Sequence, residues 1–165
     1  MSGRGERGGC VMDTVVRCHD GARVAAVART WIGTPYVHQQ SLRGIGCDCL
    51  GLLRGVWREL NGTEPERPPA YTPFWAEETG RETMLEAARR HLVPAPEGAE
   101  ITEGDVLLFR YRRHLPARHA GIATGPDAMI HAMNGSGVVE VPIGPWWRRR
   151  IAGVFRMPVT AEAGM

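Results

Sequence analysis

Residues 105–133 read DVLLFRYRRHLPARHAGIATGPDAMIHAM, and this stretch decides the fold class. Asp105 to Arg110 is a short apolar run bounded by polar residues, the mark of a buried strand rather than a helix. His119 to Thr124 and Met129 to Met133 are two more such runs, and Gly125-Pro126-Asp127 between them is turn chemistry. Downstream, Val138 to Val141 and Ile151 to Met157 repeat the pattern, with Asn134-Gly135 supplying a further turn. Upstream the period is different. Val24, Val27, Ala28 and Trp31 fall at i, i+3, i+4 and i+7, one apolar stripe of a helix that starts near Gly21 and is stopped by Gly33 and Pro35. A second helix starts at Asp48 or Cys49, buries Cys49, Leu52, Leu53, Val56, Trp57 and Leu60, and closes at Asn61-Gly62. The Pro-rich stretch Thr63 to Pro73 reads as loop. Glu77 to Leu92 reads as a third helix with Met84, Leu85, Ala88 and Leu92 inward. Helices first and a strand meander second is an α+β layout, N-terminal helices packed on an antiparallel β-sheet.

The chain has 165 residues and a mass of 18.1 kDa, the size of one domain. With 43% hydrophobic and 23% charged residues it is neither disordered, collagen-like nor a disulfide scaffold. No apolar run approaches the roughly 18 residues of a membrane span. A net charge of +2 gives no reason to expect nucleic acid as a partner. All 20 basic residues are Arg, which reads as coding bias rather than as a demand for guanidinium. They cluster at Arg110, Arg112, Arg113 and Arg118 and again at Arg148 to Arg150. Cys10, Cys18, Cys47 and Cys49 are too few for a disulfide framework, and Cys47 and Cys49 are poorly spaced to bridge each other. Free thiols and synthesis in the cytoplasm are expected. The opening MSGRGERGGC has no apolar segment before Cys10, so it is not read as a secretory signal, and Met12 is an alternative start.

The informative chemistry is a Cys at a helix start with His residues on strands about 70 residues later. Unpaired amides and the dipole at a helix N-terminus favour an anion and lower a thiol pKa, and the thiolate is the nucleophile. The same amides can hold an oxyanion once sulfur attacks a carbonyl. His119 opens one strand and His131 lies in the next. The turn at Gly125 to Asp127 makes the two strands an antiparallel pair, so the imidazoles can be neighbours, one as base and the other as its orienter. Against this stand simpler readings: a strand His as a satisfied polar group, and a helix Cys as a packing residue. A zinc site from Cys47, Cys49 and His is disfavoured, because Cys-x-Cys is not the usual ligand spacing. No metal and no cofactor are expected.

Five segments in order resemble the NlpC-type cysteine peptidases of bacterial cell walls, a papain-like α+β group. They are Gly33-Thr34-Pro35-Tyr36, Asp48-Cys49-Leu50-Gly51-Leu52, Glu103-Gly104-Asp105-Val106-Leu107, His119-Ala120-Gly121-Ile122 and Met129-Ile130-His131-Ala132. The resemblance implies Cys49 as nucleophile, His119 as general base and His131 as the residue that orients it. It implies Tyr36 as a shaper of the oxyanion and substrate site, and Asp48 as the holder of the substrate's free amine. The implied reaction is hydrolysis of peptidoglycan stem peptides, at the bond between D-glutamate and diaminopimelate. The implied layout is a flexible extension over 1–19, an NlpC-type peptidase domain over 20–158 and a tail over 159–165.

Three departures stand out. Leu50 replaces the Ser usual after the nucleophile, His38-Gln39-Gln40 replaces an aromatic-Gly-Gly, and the loop Arg110 to Arg118 is long and basic. The Asp-Cys-Leu-Gly variant and Gly55 to Leu60 (GVWREL) resemble most the cell-wall peptidases of prophages and gene transfer agents. That subgroup implies incorporation into a phage-like tail, with tail or tail-tip proteins as partners. The alternative is a structural tail-tip component whose peptidase site is vestigial, motivated by Leu50 and the Arg-rich surface.

Overall fold

The computed structural model describes residues 17–71 and 78–160. In chain order the elements are β1 (Arg17–His19), α1 (Gly21–Arg29), β2 (Ser41–Leu42), β3 (Gly46–Cys47), α2 (Cys49–Asn61), α3 (Thr83–His91), β4 (Val93–Pro94), β5 (Asp105–Phe109), β6 (His119–Gly125), β7 (Ala128–Met133), β8 (Gly137–Pro142), α4 (Pro145–Arg148), β9 (Ile151–Arg156) and β10 (Pro158–Thr160). One antiparallel sheet runs β4-β9-β5-β6-β7-β8, and β1-β10 and β2-β3 form two small ribbons. The α+β layout read from the change of period is the one observed.

The apolar run at β5 is continuous because both faces of this strand are covered. Val106 and Leu108 join the cluster formed with α1 and α2, including Val24, Trp31, Leu52 and Val56. Leu107 and Phe109 point the other way, into a second cluster with Ala123, Met129 and Ile143. A strand buried on both sides has no polar face to alternate.

α2 is the element that carries the site. Its Leu52, Val56, Trp57 and Leu60 are buried, as the helical spacing predicts, whereas Cys49 and Leu53 are half-buried. Cys49 therefore sits at the edge of the core instead of inside it. Gly55 lets α1 and α2 come close: a Cβ placed there would stand 2.1 Å from the Trp31 ring.

Two expectations change. The third helix is shorter than Glu77 to Leu92. Glu77 lies outside the described residues, Gly80 takes a positive φ of 66° that breaks a helical path, and the helix begins at Thr83. Leu92, expected inward, does pack against the core, although it is only half-buried. Part of the extension over 1–19 and of the tail over 159–165, the layout that the resemblance implies, is drawn into a strand pair. Arg17–His19 pairs antiparallel with Pro158–Thr160. The Asn61 amide donates to the Pro158 carbonyl at 2.8 Å, and its Oδ1 accepts from the Thr160 backbone N–H at 2.7 Å. Cys10, Met12 and the residues beyond Thr160 lie outside the described residues. Finally, β4 follows α3 directly although it contains Pro94, which is tolerated because β4 is an edge strand paired only with β9.

The tight α1–α2 contact yields a test. At an ordinary helical site, Gly→Ala gains up to about 1 kcal/mol. Gly55→Ala is expected instead to lower the melting temperature by several degrees in calorimetry, since overpacking costs about 1–3 kcal/mol. A raised melting temperature would show that the helices separate at no cost.

Candidate active site

The start of α2, the loops around Tyr36 and Tyr111, and the start of β6 enclose a cavity of about 260 Å³. Tyr36, Asp48, Cys49 and His119, four of the five residues singled out from the sequence, line it. The fifth, His131, is buried behind His119, and His119 Nε2 lies 2.9 Å from His131 Nδ1. The hairpin explains this contact. β6 and β7 pair with Ile122 opposite Ile130, so one step further His131 stands across from Gly121, with His119 its diagonal neighbour on the same face.

Cys49 is half-buried, while Cys47, two residues earlier, is fully buried and serves as a packing residue. The Cys49 thiol points at the Arg118 carbonyl, 3.9 Å away, against the residue that precedes His119. The helix-terminus argument predicts a depressed thiol pKa. The opposite is found: burial pushes the Cys49 thiol up to about 12, and the neighbouring Asp48 charge adds to the rise. The backbone N–H groups of Ala120, Leu50 and Cys49 itself pull the other way without prevailing. Burial likewise pushes His119 down to about 3, with His131 and Arg118 adding to the fall, and burial pushes His131 down to about 4. Burial disfavours the charged form of each of these groups, which favours a neutral thiol and neutral imidazoles.

Asp48 is buried and caps α2: its Oδ1 accepts from the Gly51 N–H at 2.7 Å. Its Oδ2 accepts from the Gln39 N–H at 2.8 Å and from the Tyr71 hydroxyl. Tyr36 is bridged to Cys47 through the backbone, and burial lifts its hydroxyl to about 12, so it stands at the cavity as a neutral donor. Leu50 lines the cavity and also an adjoining apolar groove of about 210 Å³, which the two share with Tyr71 and Met84.

Several residues escaped the sequence reading. Tyr71 comes from the Pro-rich loop, where no period marks it, and Tyr111 and Arg118 come from the basic loop. Of the neighbouring Trp146 and Trp147, Trp146 is exposed and Trp147 packs on Phe109 and both histidines. The basic loop is partly tied down. Arg110 Nη1 bonds Glu82 Oε1 at 2.5 Å, and the Ala117 N–H bonds Glu82 Oε2 at 3.1 Å. Burial raises the Glu82 pKa, but these two donors bring it below the usual carboxylate value. Among the described residues no group of three or more His, Cys, Asp or Glu is arranged to hold a metal ion, and no helix is long and apolar enough to cross a membrane.

Residues 33–156 match the NlpC/P60 family, well over half of the chain, and the chain belongs to that family. No curated protein matches its sequence. Its fold is similar to NlpC2 from Trichomonas vaginalis, with a TM-score of 0.60 and 22% identity over 86% of this chain and 48% of that one. It is also similar to an NlpC/P60 family protein from Bacillus cereus, with a TM-score of 0.58 and 18% identity over 82% of this chain and 39% of that one. A third similar structure is the NlpC/P60 domain of the peptidoglycan hydrolase SagA, with a TM-score of 0.51 and 24% identity over 86% of this chain and 99% of that one. The chain thus spans less than half of the first two and nearly all of the third.

The two depressed imidazoles make stability depend on pH. Unfolded histidine titrates near 6.5 and the folded pair near 3 to 4, so below about pH 6.5 the unfolded chain binds more protons. Stability from these groups is complete above that pH and is lost as pH falls toward 4. Melting temperatures measured from pH 7 to 4 are expected to fall, with a shallower fall for His119→Gln and His131→Gln. Parallel curves for wild type and both variants would show that neither imidazole is held neutral by burial.

Proposed function

We infer that this chain is a cysteine endopeptidase that hydrolyses peptidoglycan stem peptides, cutting between D-glutamate and diaminopimelate. The observation that carries the reading is a half-buried thiol at a helix N-terminus that shares one cavity with an imidazole bonded to a second imidazole. Membership of the NlpC/P60 family supports it, as does the similar fold of a peptidoglycan hydrolase domain.

The steps of the inferred reaction are these. For His119 to accept at Nδ1, its Nε2 carries the hydrogen and donates to His131 Nδ1, which fixes tautomer and ring orientation. Cys49 Sγ attacks the scissile carbonyl carbon as its proton passes to His119. The oxyanion is met by amides at the start of α2 and by the Tyr36 hydroxyl. Collapse of this intermediate breaks the C–N bond, and the imidazolium gives its proton to the departing amine. Water then attacks the thioester with His119 again as base, which releases the acid and restores the thiol. Three of the lone-pair positions on the Asp48 carboxylate are taken by protein donors, and the one left is available to a substrate ammonium. Leu50 offers no hydroxyl and gives the substrate an apolar contact instead.

The setting we infer is a phage-like tail or tail tip, with the protein made in the cytoplasm and assembled into the particle. The Asp48 to Gly51 variant and the Gly55 to Leu60 segment support this through their resemblance to prophage and gene-transfer-agent peptidases.

Purified sacculi digested with wild type are expected to release fragments with a new diaminopimelate amine, read by mass spectrometry. Cys49→Ala is expected to release none while melting at the wild-type temperature. His119→Ala is expected to lose at least about a hundredfold in rate, as for a general base. His131→Ala is expected to lose less, about tenfold, since water can replace an orienter in part. Sacculi left intact by the wild type, or cut equally by Cys49→Ala, would overturn the reading.

A further inference from the structure

The ring that holds the histidine pair in place comes from outside the hairpin that carries it. Trp147, on α4, is stacked on His119 with ring centroids 5.4 Å apart and planes 28° apart. It also meets His131 edge to face at 5.2 Å and 88°. Phe109 and Tyr111 lie near His119 as well, at 6.0 and 6.1 Å, yet of the ring contacts described only Trp147 reaches both imidazoles. Its own place is fixed. Trp147 packs edge-on against Phe109 at 4.8 Å. The next residue, Arg148, fastens α4 to the far end of the same hairpin: Nη2 bonds the Pro126 carbonyl at 2.8 Å and Asp127 Oδ1 at 3.0 Å, and Nε bonds the Ile143 carbonyl at 3.0 Å. α4 is thereby clamped across β6 and β7 at two points, the turn and the histidines.

We propose that Trp147 is a positioning residue of the Cys49–His119–His131 site, holding both imidazoles and giving the imidazolium formed during attack an aromatic face. This deepens the peptidase reading and rests on it. A cation held over an indole face is stabilised, whereas a neutral ring gains little. The charged form of His119 exists only after the thiol proton has moved, so the stacking favours the reacting state over the resting one. Tyr111 and Phe109 also turn ring faces to His119, with planes 28° and 34° apart, but both stand farther off, at 6.1 and 6.0 Å, than Trp147 at 5.4 Å. Arg118 is a like charge beside it, His131 is itself neutral, and Cys49, Asp48, Tyr36 and Tyr111 line the cavity side. Arg110 is turned to Glu82, and Arg148 to the hairpin turn.

The test needs no cell-wall substrate. Cys49 is alkylated with iodoacetamide across pH 5 to 8 in wild type, Trp147→Phe and Trp147→Leu, and the His119 ring is followed by nitrogen NMR. A leucine keeps the site dry but offers no π face. Trp147→Leu is expected to slow alkylation about tenfold at neutral pH, with His119 still neutral throughout the range. Trp147→Phe, the conservative ring, is expected to fall about threefold or less, and it carries the test alone if the leucine variant does not fold. Two results overturn the proposal: equal alkylation rates in the folded variants, or a His119 ring that begins to titrate between pH 5 and 7. The second would mean that Trp147 only keeps water out. Sacculi left intact by a wild type that still shows the Trp147 effect would remove the peptidase reading and leave this one standing.

Discussion

The Asp48 carboxylate is the constraint on which the site depends. It caps α2, holds the Gln39 amide of the preceding loop, and receives the Tyr71 hydroxyl from a distant segment. Three separate pieces of chain thus converge on one buried group, and the residue after it is Cys49, the nucleophile of the proposed reaction. The arrangement has an electrostatic consequence. A negative group that orders the helix start also opposes a negative sulfur beside it, and burial acts in the same direction. The dipole of a helix terminus is a modest term, and here it does not win. The same burial that favours the protonated thiol favours the neutral form of both imidazoles.

Much of the fold was legible in the sequence because its core strands are long enough to carry a pattern. β5 to β9 announce themselves as apolar runs with turn residues between them, and their observed bounds differ by only a residue or so at each end. The pieces that were not legible are short. β1 and β10 have three residues each, and β2, β3 and β4 have two, too few for any period to appear. Their pairing is set by tertiary contacts such as those of Asn61 with Pro158 and Thr160. The third helix was read too long because Leu85 and Ala88 have helical spacing that says nothing about where Gly80 turns the chain.

The candidate site divides in the same way. Cys49, His119 and His131 stood out because a helix start and a hairpin give their side chains predictable directions. Asp48 was visible as a motif residue, but the three protein donors that meet it were not. Tyr71, Tyr111 and Trp147 could not be found from spacing, since each comes from irregular chain or from a helix of one turn. Nor could the neutral charge state be read from the sequence, because desolvation depends on what covers a group and not on its neighbours along the chain.

The ribbon of β1 and β10 has a geometric corollary. Asn61, which anchors it, closes the C-terminal end of α2, while Cys49 opens the other end of the same helix. Thirteen residues at 1.5 Å each put about 20 Å between them. Whatever chain leads into residue 17 or away from residue 160 joins the domain at that distal ribbon. The length of α2 thus separates the points where residues 17 and 160 join the fold from Cys49 at its other end.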